Sequence, residues 1–191
     1  MKSLIIAELI QKYANLHNDE TTNFAKAFEQ AKNAKNDFEI TNRKNFIGHF
    51  TASAFVINPA NKKVLLLDHK ALKRKLTPGG HIEKDESPLE AALRELEEET
   101  GLSSNQVEQY LPNKIDKNTP FHIGSHPIPK NDKKQEDEHY HHNFEYVFFI
   151  KPNSEIVLDI TESDGYEWID FDTAIDILGR PMRYKKLLEE K

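Results

Sequence analysis

The sequence contains no cysteine among its 191 residues. Disulfide bonds, zinc sites built from thiolates and a cysteine nucleophile are therefore excluded. Because a chain without disulfides suits a reducing compartment, we expect the protein to be cytoplasmic.

Long apolar runs and a surplus of basic residues are missing as well. A membrane-spanning helix needs about 20 apolar residues, and no stretch of this chain comes near that length. The first segment, MKSLIIAELIQKY, is interrupted by Glu8 and predicts an amphipathic helix rather than a signal peptide. With a formal net charge of −6, the chain has no global basic field. We expect neither a membrane nor a nucleic-acid polymer as its partner.

The residues that are present indicate a globular α+β protein. Hydrophobic residues make up 37% and charged residues 30% of the chain, which suits one domain with a real core. Apolar periodicity predicts helices between about residues 3 and 36, with one stripe formed by Leu4, Ile5, Leu9 and Ile10. Strands are predicted for HFTASAFVIN, KVLLLDH, HIE, YHHNFEYVFFIK and GYEWIDF, and two closing helices follow. Because strands and helices do not alternate regularly, we expect a mixed sheet.

One helix is specified at both of its ends. Ser87 is suited to the N-cap, proline follows at the first helical position, and Glu90 completes a capping box. Gly101 stands where a left-handed C-cap belongs. These signals predict a helix from Pro88 to Thr100.

The same helix carries an unusual cluster of carboxylates. Helical spacing places Leu89, Leu93, Leu96 and Thr100 on one core-facing stripe. Glu95, Glu98 and Glu99 fall together on the adjacent face, where like charges repel. No lysine or arginine stands three or four residues beyond them. A divalent cation such as Mg²⁺ would compensate this charge, and a solvated acidic face is the alternative interpretation.

The whole segment resembles the Nudix box. The positions that match its pattern are Gly80, Glu86, Arg94, Glu95, Leu96, Glu98, Glu99, Gly101 and Leu102. The resemblance implies a Nudix fold from about Phe46 to about Phe171. It also implies two regions: an N-terminal helical extension, residues 1–45, and a Nudix domain with closing helices, residues 46–191.

Nudix enzymes hydrolyse a diphosphate linked to another group, usually a nucleoside, with Mg²⁺ or, in its place, Mn²⁺. The resemblance therefore implies a small-molecule diphosphate as substrate. It assigns metal binding to Glu95, Glu98, Glu99 and the carbonyl group of Gly79. Arg94 would pair with Glu86 and orient Glu95, the first choice for the general base, although a purely structural ion pair has equal weight. Other candidates for the base are Glu136, Glu138 and Glu145, of which the loop glutamates also fit an ordinary surface.

Further residues are candidates for contact with the substrate: Gly80, Lys75, His139 and His141. Lys75 belongs to a basic loop, which a solvated surface explains equally well. His139 and His141 alternate onto one face of a predicted strand and could hold zinc. Because no third ligand is evident, we favour pocket lining for both. Trp168 is expected in the core.

Two other functions are compatible with the fold that the resemblance implies. Diphosphate isomerases of the Nudix superfamily resemble this chain in the box, but they rely on a cysteine, which is absent here. A ligand-binding module without turnover often lacks box glutamates, and this chain has them all. The identity of the substrate and a homodimeric state are left open.

Overall fold

The structure is a computed structural model that describes residues 2–17, 20–36, 38–112, 115–132 and 135–188. Its helices are α1 (Lys2–Leu16), α2 (Thr21–Asn33), α3 (Phe38–Thr41), α4 (Pro88–Thr100), α5 (Phe171–Leu178) and a closing 3₁₀ helix (Met182–Leu188). The strands are β1 (Gly48–Asn58), β2 (Lys63–His69), β3 (Arg74–Leu76), β4 (Gly79–His81), β5 (Val107–Gln109), β6 (His122–Ile128), β7 (His139–Ile150) and β8 (Ser163–Asp170). Within these ranges, no helix has the length and apolar content needed to cross a membrane.

In the described ranges, eight strands form one sheet. Its path runs β3-β2-β1-β7-β5, while β4 pairs with β1, β6 with β7 and β8 with β2. The pairings of β2 with β1, β3 and β8 are antiparallel, as are those of β7 with β5 and β6. The predicted α+β class, with a mixed sheet and N-terminal helices, is confirmed.

The chain divides into two compact units that do not follow the predicted boundary at residue 45. The first unit comprises Met1–Ser53, Gly80–Ala92 and Leu111–Tyr146. The second comprises Ala54–Gly79, Leu93–Tyr110 and Val147–Lys191. The division into an extension and a Nudix domain stays a prediction.

In the first unit, α1 and α2 pack against each other and against β6. The side chains that α1 buries are Ile6, Leu9, Ile10 and Tyr13. The predicted stripe was therefore wrong at its beginning, since Leu4 and Ile5 are 56% and 50% exposed. The ring of Tyr13 meets that of Phe24 edge to face at 5.5 Å, which sets the face that α1 turns towards α2.

In the second unit, β2 lies between β3 and β8, and α5 packs on both β2 and β8. Residues 64–67 of β2 are buried apolar side chains, as expected for a central strand. Phe55 of β1 contacts Phe171 and Tyr184 with ring centroids 6.1 and 5.0 Å away. These contacts attach the closing helices to the sheet.

Helix α4 has the limits that its capping residues predicted. The Ser87 N–H donates to Glu90 Oε2 at 2.8 Å, and the Glu90 N–H donates to Ser87 Oγ at 3.3 Å. At the other end, Gly101 has φ 70° and donates its N–H to the Glu97 carbonyl. The capping box and the left-handed C-cap are both confirmed.

The core-facing side of α4 is wider than the predicted stripe. Leu89, Leu96 and Thr100 are buried as expected, whereas Leu93 is only half-buried. Ala91 and Ala92 are fully buried instead. Small side chains thus extend the core face and let the helix lie close to its neighbours.

Candidate active site

Glu99 is the most buried carboxylate of the predicted site, with 8% of the residue exposed. Its Oε2 accepts a hydrogen bond of 2.7 Å from the Gly79 N–H. Burial raises its pKa to about 8, and the neighbouring Glu95, Glu162 and Asp159 act in the same direction. The bond from Gly79 opposes this rise. Placing an ionised carboxylate here is therefore costly without further positive charge.

Glu95 and Glu98 share one cationic partner. Arg94 Nη1 donates to Glu95 Oε1 and to Glu98 Oε2, each at 2.9 Å. No lysine or arginine stands three or four residues beyond these glutamates, but Arg94 reaches Glu98 from four residues earlier and offsets part of their charge. Burial raises the pKa of Glu95, while Arg94 lowers it. The side chain of Glu95 is 13% exposed and that of Glu98 is 59% exposed, so the three carboxylates range from buried to solvated.

A distant segment adds two acidic residues that the sequence analysis missed. The N–H groups of Val157 and Asp159 donate to the carbonyls of Thr100 and Glu99 at 2.8 and 2.9 Å. This attachment brings Asp159 and Glu162 close enough to raise the pKa of Glu99. No local spacing relates this segment to α4, so tertiary structure alone could reveal it.

Gly79 and Gly80 lie on β4, and Glu86 lies in the loop that precedes α4. The Pro78 carbonyl accepts a hydrogen bond of 2.9 Å from the Ala54 N–H, which holds the turn before Gly79 against β1. Glu86 Oε2 accepts a bond of 3.0 Å from the Glu83 N–H. The pairing of Glu86 with Arg94, and roles for Gly80 and the Gly79 carbonyl, stay predictions.

Lys75 already has two anionic neighbours. Its Nζ lies 2.7 Å from Asp68 Oδ1 and 2.9 Å from Glu167 Oε2. Hydrogen bonds to both carboxylates raise the pKa of Lys75. A phosphate at this residue would compete with these two ion pairs.

Two further histidines, His49 and His81, lie close to His139 and His141, and the sequence did not indicate this. One ring nitrogen each of His49, His81 and His141 lies within 4.8 Å of the others, and His139 Nε2 lies 3.3 Å from His141 Nε2. The sequence showed no further ligand for the pair His139 and His141, whereas the structure places His49 and His81 beside His141. In the part of the chain that the structure describes, the α4 glutamates form no set that meets the 4.8 Å spacing.

Two of these imidazoles, those of His49 and His141, are held neutral at physiological pH because burial lowers their pKa values. Burial lowers the pKa of His141 to about 3, and the charges of the neighbouring histidines lower it further. Burial and His139 together lower the pKa of His49 to about 4. Each neutral ring has a nitrogen lone pair available for a hydrogen bond or for a cation.

Glu145, a further candidate for the base, is fully buried, and Ser53 Oγ donates to its Oε2 at 3.3 Å. Asn143 joins the same network through a 2.8 Å bond from its Nδ2 to Ser53 Oγ. Trp168 is half-buried rather than in the core, and with Tyr166 it lines an open cleft of about 620 Å³.

Of the two loop glutamates, Glu138 is exposed and Glu136 is half-buried. The backbone groups of Glu136 pair with those of Asn131 in an isolated bridge. Both observations agree with an ordinary loop surface.

Comparison with known proteins agrees with the predicted family. The NUDIX domain family matches residues 48–190. A probable DHNTP pyrophosphohydrolase of Lactococcus lactis subsp. cremoris is 32% identical over 116 residues, which cover 60% of this chain and 62% of the relative. An RNA pyrophosphohydrolase of Nitratiruptor sp. is 30% identical over 117 residues, which cover 59% of this chain and 70% of that protein. The chain thus spans about three fifths of the length of the first relative and somewhat more of the second.

Solved structures show the same fold. The E. coli dihydroneopterin triphosphate pyrophosphohydrolase superimposes with a TM-score of 0.56 at 15% identity, covering 74% of this chain and 96% of its own. A C. elegans Ap4A hydrolase gives 0.51 at 18% identity, covering 74% of this chain and 93% of its own. The family match spans most of the chain and contains every residue of the box. The chain belongs to the NUDIX family.

Proposed function

We propose that the protein is a Mg²⁺-dependent hydrolase that cleaves a phosphoric anhydride bond in a small molecule such as a nucleoside diphosphate derivative. The observation that carries the proposal is the buried carboxylate of Glu99. It accepts a hydrogen bond from the Gly79 N–H, and the charge of Glu95 raises its pKa. Its neighbours Asp159 and Glu162 add negative charge that Arg94 does not balance alone. A divalent cation with oxygen ligands fits this donor set.

The names of the two relatives support cleavage of a phosphoric anhydride bond, but they do not indicate one particular substrate. Both are named as pyrophosphohydrolases, one acting on DHNTP and the other on RNA. A phosphoric anhydride is common to the two names, whereas the group that carries it differs. We therefore assign the reaction class and leave the carrier group to a substrate screen.

The residues that would hold the cation are Glu95, Glu98, Glu99 and the carbonyl of Gly79. Bound there, Mg²⁺ would neutralise the phosphate oxygens and lower the pKa of a water ligand. Among the protein's groups, Glu95 takes the proton from the attacking water as the oxygen–phosphorus bond forms and the anhydride P–O bond breaks. Arg94 positions Glu95 through their 2.9 Å contact. Gly80 and Lys75 are proposed to contact the substrate, whereas the contact of His139 and His141 with the substrate stays a prediction.

A substrate screen with two matched variants tests this assignment. Purified protein is incubated with Mg²⁺, or with Mn²⁺, and a panel of nucleoside triphosphates, nucleotide sugars, dinucleotides and pterin triphosphates, and released phosphate or pyrophosphate is measured. Glu98→Gln should lose most turnover while remaining folded, since it removes one proposed ligand charge at an exposed position. Glu97→Gln changes an exposed glutamate of the same helix and should retain activity.

The outcome also separates hydrolysis from ligand binding. Turnover that depends on Glu98 and not on Glu97 supports the proposal. Inertness across the panel, with Mg²⁺ still raising the melting temperature, favours a binding module that has kept the family's metal ligands. Equal activity in Glu98→Gln and the unmodified protein contradicts the metal assignment.

A further inference from the structure

Four imidazoles meet in the first compact unit, although they come from three strands. His49 lies on β1, His81 on β4, and His139 and His141 on β7. The ring centroid of His49 lies 4.3 Å from that of His139, 5.4 Å from that of His141 and 5.2 Å from that of His81. Sheet pairing therefore gathers residues that are up to 92 positions apart into one cluster, which we call the histidine cluster.

Hydrogen bonding leaves this cluster incompletely satisfied. His49 Nδ1 lies 3.2 Å from His81 Nε2, so these two nitrogens share one proton at most. His49 Nε2 is buried and makes no hydrogen bond of normal geometry within the described part of the chain, although the backbone of Arg43 lies close enough to raise the pKa of His49. Buried polar atoms are almost always paired, and an unpaired one needs an explanation.

His139 orients the ring of its neighbour. Its Nδ1 lies 2.7 Å from the Asp137 carbonyl, to which it must donate a proton. In the neutral ring, His139 Nε2 is then an acceptor, and it faces His141 Nε2 at 3.3 Å. His139 can therefore hold the ring of His141 in place by accepting its Nε2–H, as an outer-shell partner does for a metal-binding histidine.

One nitrogen separation in the cluster matches that of a metal's ligands. For Zn–N bonds of about 2.0–2.1 Å in tetrahedral geometry, two ligand nitrogens stand roughly 3.3–3.4 Å apart. The observed contact of 3.2 Å between His49 Nδ1 and His81 Nε2 is close to this value. One nitrogen each of His49, His81 and His141 lies within 4.8 Å of the others, so the widest pair would have to move closer together to share one ion.

The surroundings favour a bound ion over a hydrated surface cluster. His49 and His139 are buried, and the ring of Phe46 lies 6.5 and 6.0 Å from theirs. His81 and His141 are half-buried, which leaves a path for an ion to enter. The site thus has an apolar wall on one side and access on another.

We propose that His49, His81 and His141 bind a first-row transition-metal cation of the Zn²⁺ class, with His139 as a positioning residue. Imidazole nitrogen suits Zn²⁺ and its neighbours in the series, whereas Mg²⁺ prefers oxygen. The histidine cluster is therefore chemically separate from the carboxylates of α4. Three protein ligands leave one coordination position open.

Metal binding by the full-length protein tests the proposal without any substrate. After treatment with a chelator and its removal, the protein is titrated with ZnCl₂ by calorimetry and with CoCl₂ by visible absorption, both in excess Mg²⁺. We expect one Zn²⁺ per chain and a Co²⁺ spectrum typical of nitrogen ligands in four-coordinate geometry. His81→Gln and His141→Gln should each weaken Zn²⁺ binding at least 100-fold. His139→Gln should weaken it by about 10- to 100-fold, as loss of an outer support does.

Two control variants distinguish this site from other binding. His126→Gln removes an exposed imidazole that pairs in register with His141 but lies outside the cluster, and it should leave Zn²⁺ affinity unchanged. Glu98→Gln should also leave it unchanged. Circular dichroism and a thermal melt show whether each variant is folded. If His81→Gln does not fold, His81→Asn is used in its place.

Three results would overturn the proposal. One is the absence of stoichiometric Zn²⁺ binding by the unmodified protein. Another is an equal loss of affinity in His126→Gln and in the cluster variants. The third is Zn²⁺ binding that Glu98→Gln abolishes and the histidine variants do not, since the ion would then belong to α4.

Discussion

Replacing Glu99 by glutamine should stabilise the protein at alkaline pH. The substitution keeps the size of the side chain, and the glutamine carbonyl oxygen can still accept the 2.7 Å bond from the Gly79 N–H. The negative charges of Glu95, Asp159 and Glu162 raise the pKa of Glu99, and a glutamine at this position removes that repulsion. A neutral side chain therefore avoids the cost of burying an ionised carboxylate at this site.

The pKa of Glu99 sets the sign and the pH window of this effect. Burial raises that pKa from 4.5 to about 8, so the folded protein binds more protons than the unfolded chain between these values. The free energy of unfolding must then fall as pH rises through this window. Each tenfold change in an acid dissociation constant corresponds to ~1.4 kcal/mol, which places a ceiling of roughly 5 kcal/mol on the loss by pH 9. Glu99→Gln lacks this titration, so its advantage should be absent near pH 4.5 and largest above pH 8.

Urea unfolding at pH 4.5, 7 and 9 measures the difference. Glu97→Gln is the matched control, because it removes the same charge from an exposed position of α4. Adding Mg²⁺ should stabilise the unmodified protein by ~2.7 kcal/mol at one hundred times its dissociation constant, and Glu99→Gln by much less. If Glu99→Gln shows the same pH dependence as the unmodified protein, or is less stable at pH 9, the account of a costly buried carboxylate is refuted.

Two further predictions concern the ends of helices. Ser87→Ala should lower the free energy of unfolding by ~1 kcal/mol in a urea titration, because the Glu90 N–H loses its 3.3 Å acceptor; an unchanged midpoint would contradict the capping box. Gly101→Ala should cost more than Gly179→Ala in the same assay. Both glycines have positive φ, but a Cβ at Gly101 would lie 3.1 Å from Val157 Cβ, whereas one at Gly179 would meet no atom within 4 Å. Equal losses would show that backbone strain alone determines the cost, at ~1 kcal/mol for each.

Local signals predicted the helix that carries the candidate site, but not the environment of each carboxylate. Ser87, Glu90 and Gly101 fixed the ends of α4 because capping depends on residues within one turn. Helical spacing placed Glu98 and Glu99 on the same face, yet one is solvated and the other buried. That difference comes from Gly79 and from the segment around Asp159, and no periodic pattern connects either of them with the helix.

The N-terminal helices show the same limit. Their existence followed from apolar periodicity, and Leu9 and Ile10 are buried as predicted, but the beginning of the buried face of α1 was predicted wrongly. Ile6 and Tyr13 are buried while Leu4 and Ile5 are exposed, because the position of α2 and β6 selects the face that packs. Where several apolar residues follow one another at the start of a helix, neighbouring faces are equally hydrophobic. Only the packing partner then determines which face is buried.

The two candidate cation sites differ in their ligand atoms, which are oxygen on α4 and nitrogen in the histidine cluster. The sequence indicated this difference only in part. Carboxylates four residues apart on a helix indicate a cation site with oxygen ligands, because one helical turn brings them together. Imidazoles two residues apart on a strand, as His139 and His141 are, give half of a nitrogen site, and the other half depends on which strands pair with β7 and β1. The structure supplies His49 and His81 at that point. Because Mg²⁺ selects oxygen and Zn²⁺ accepts nitrogen, one chain can bind both ions without competition, and saturating Mg²⁺ should leave Zn²⁺ on the histidine cluster.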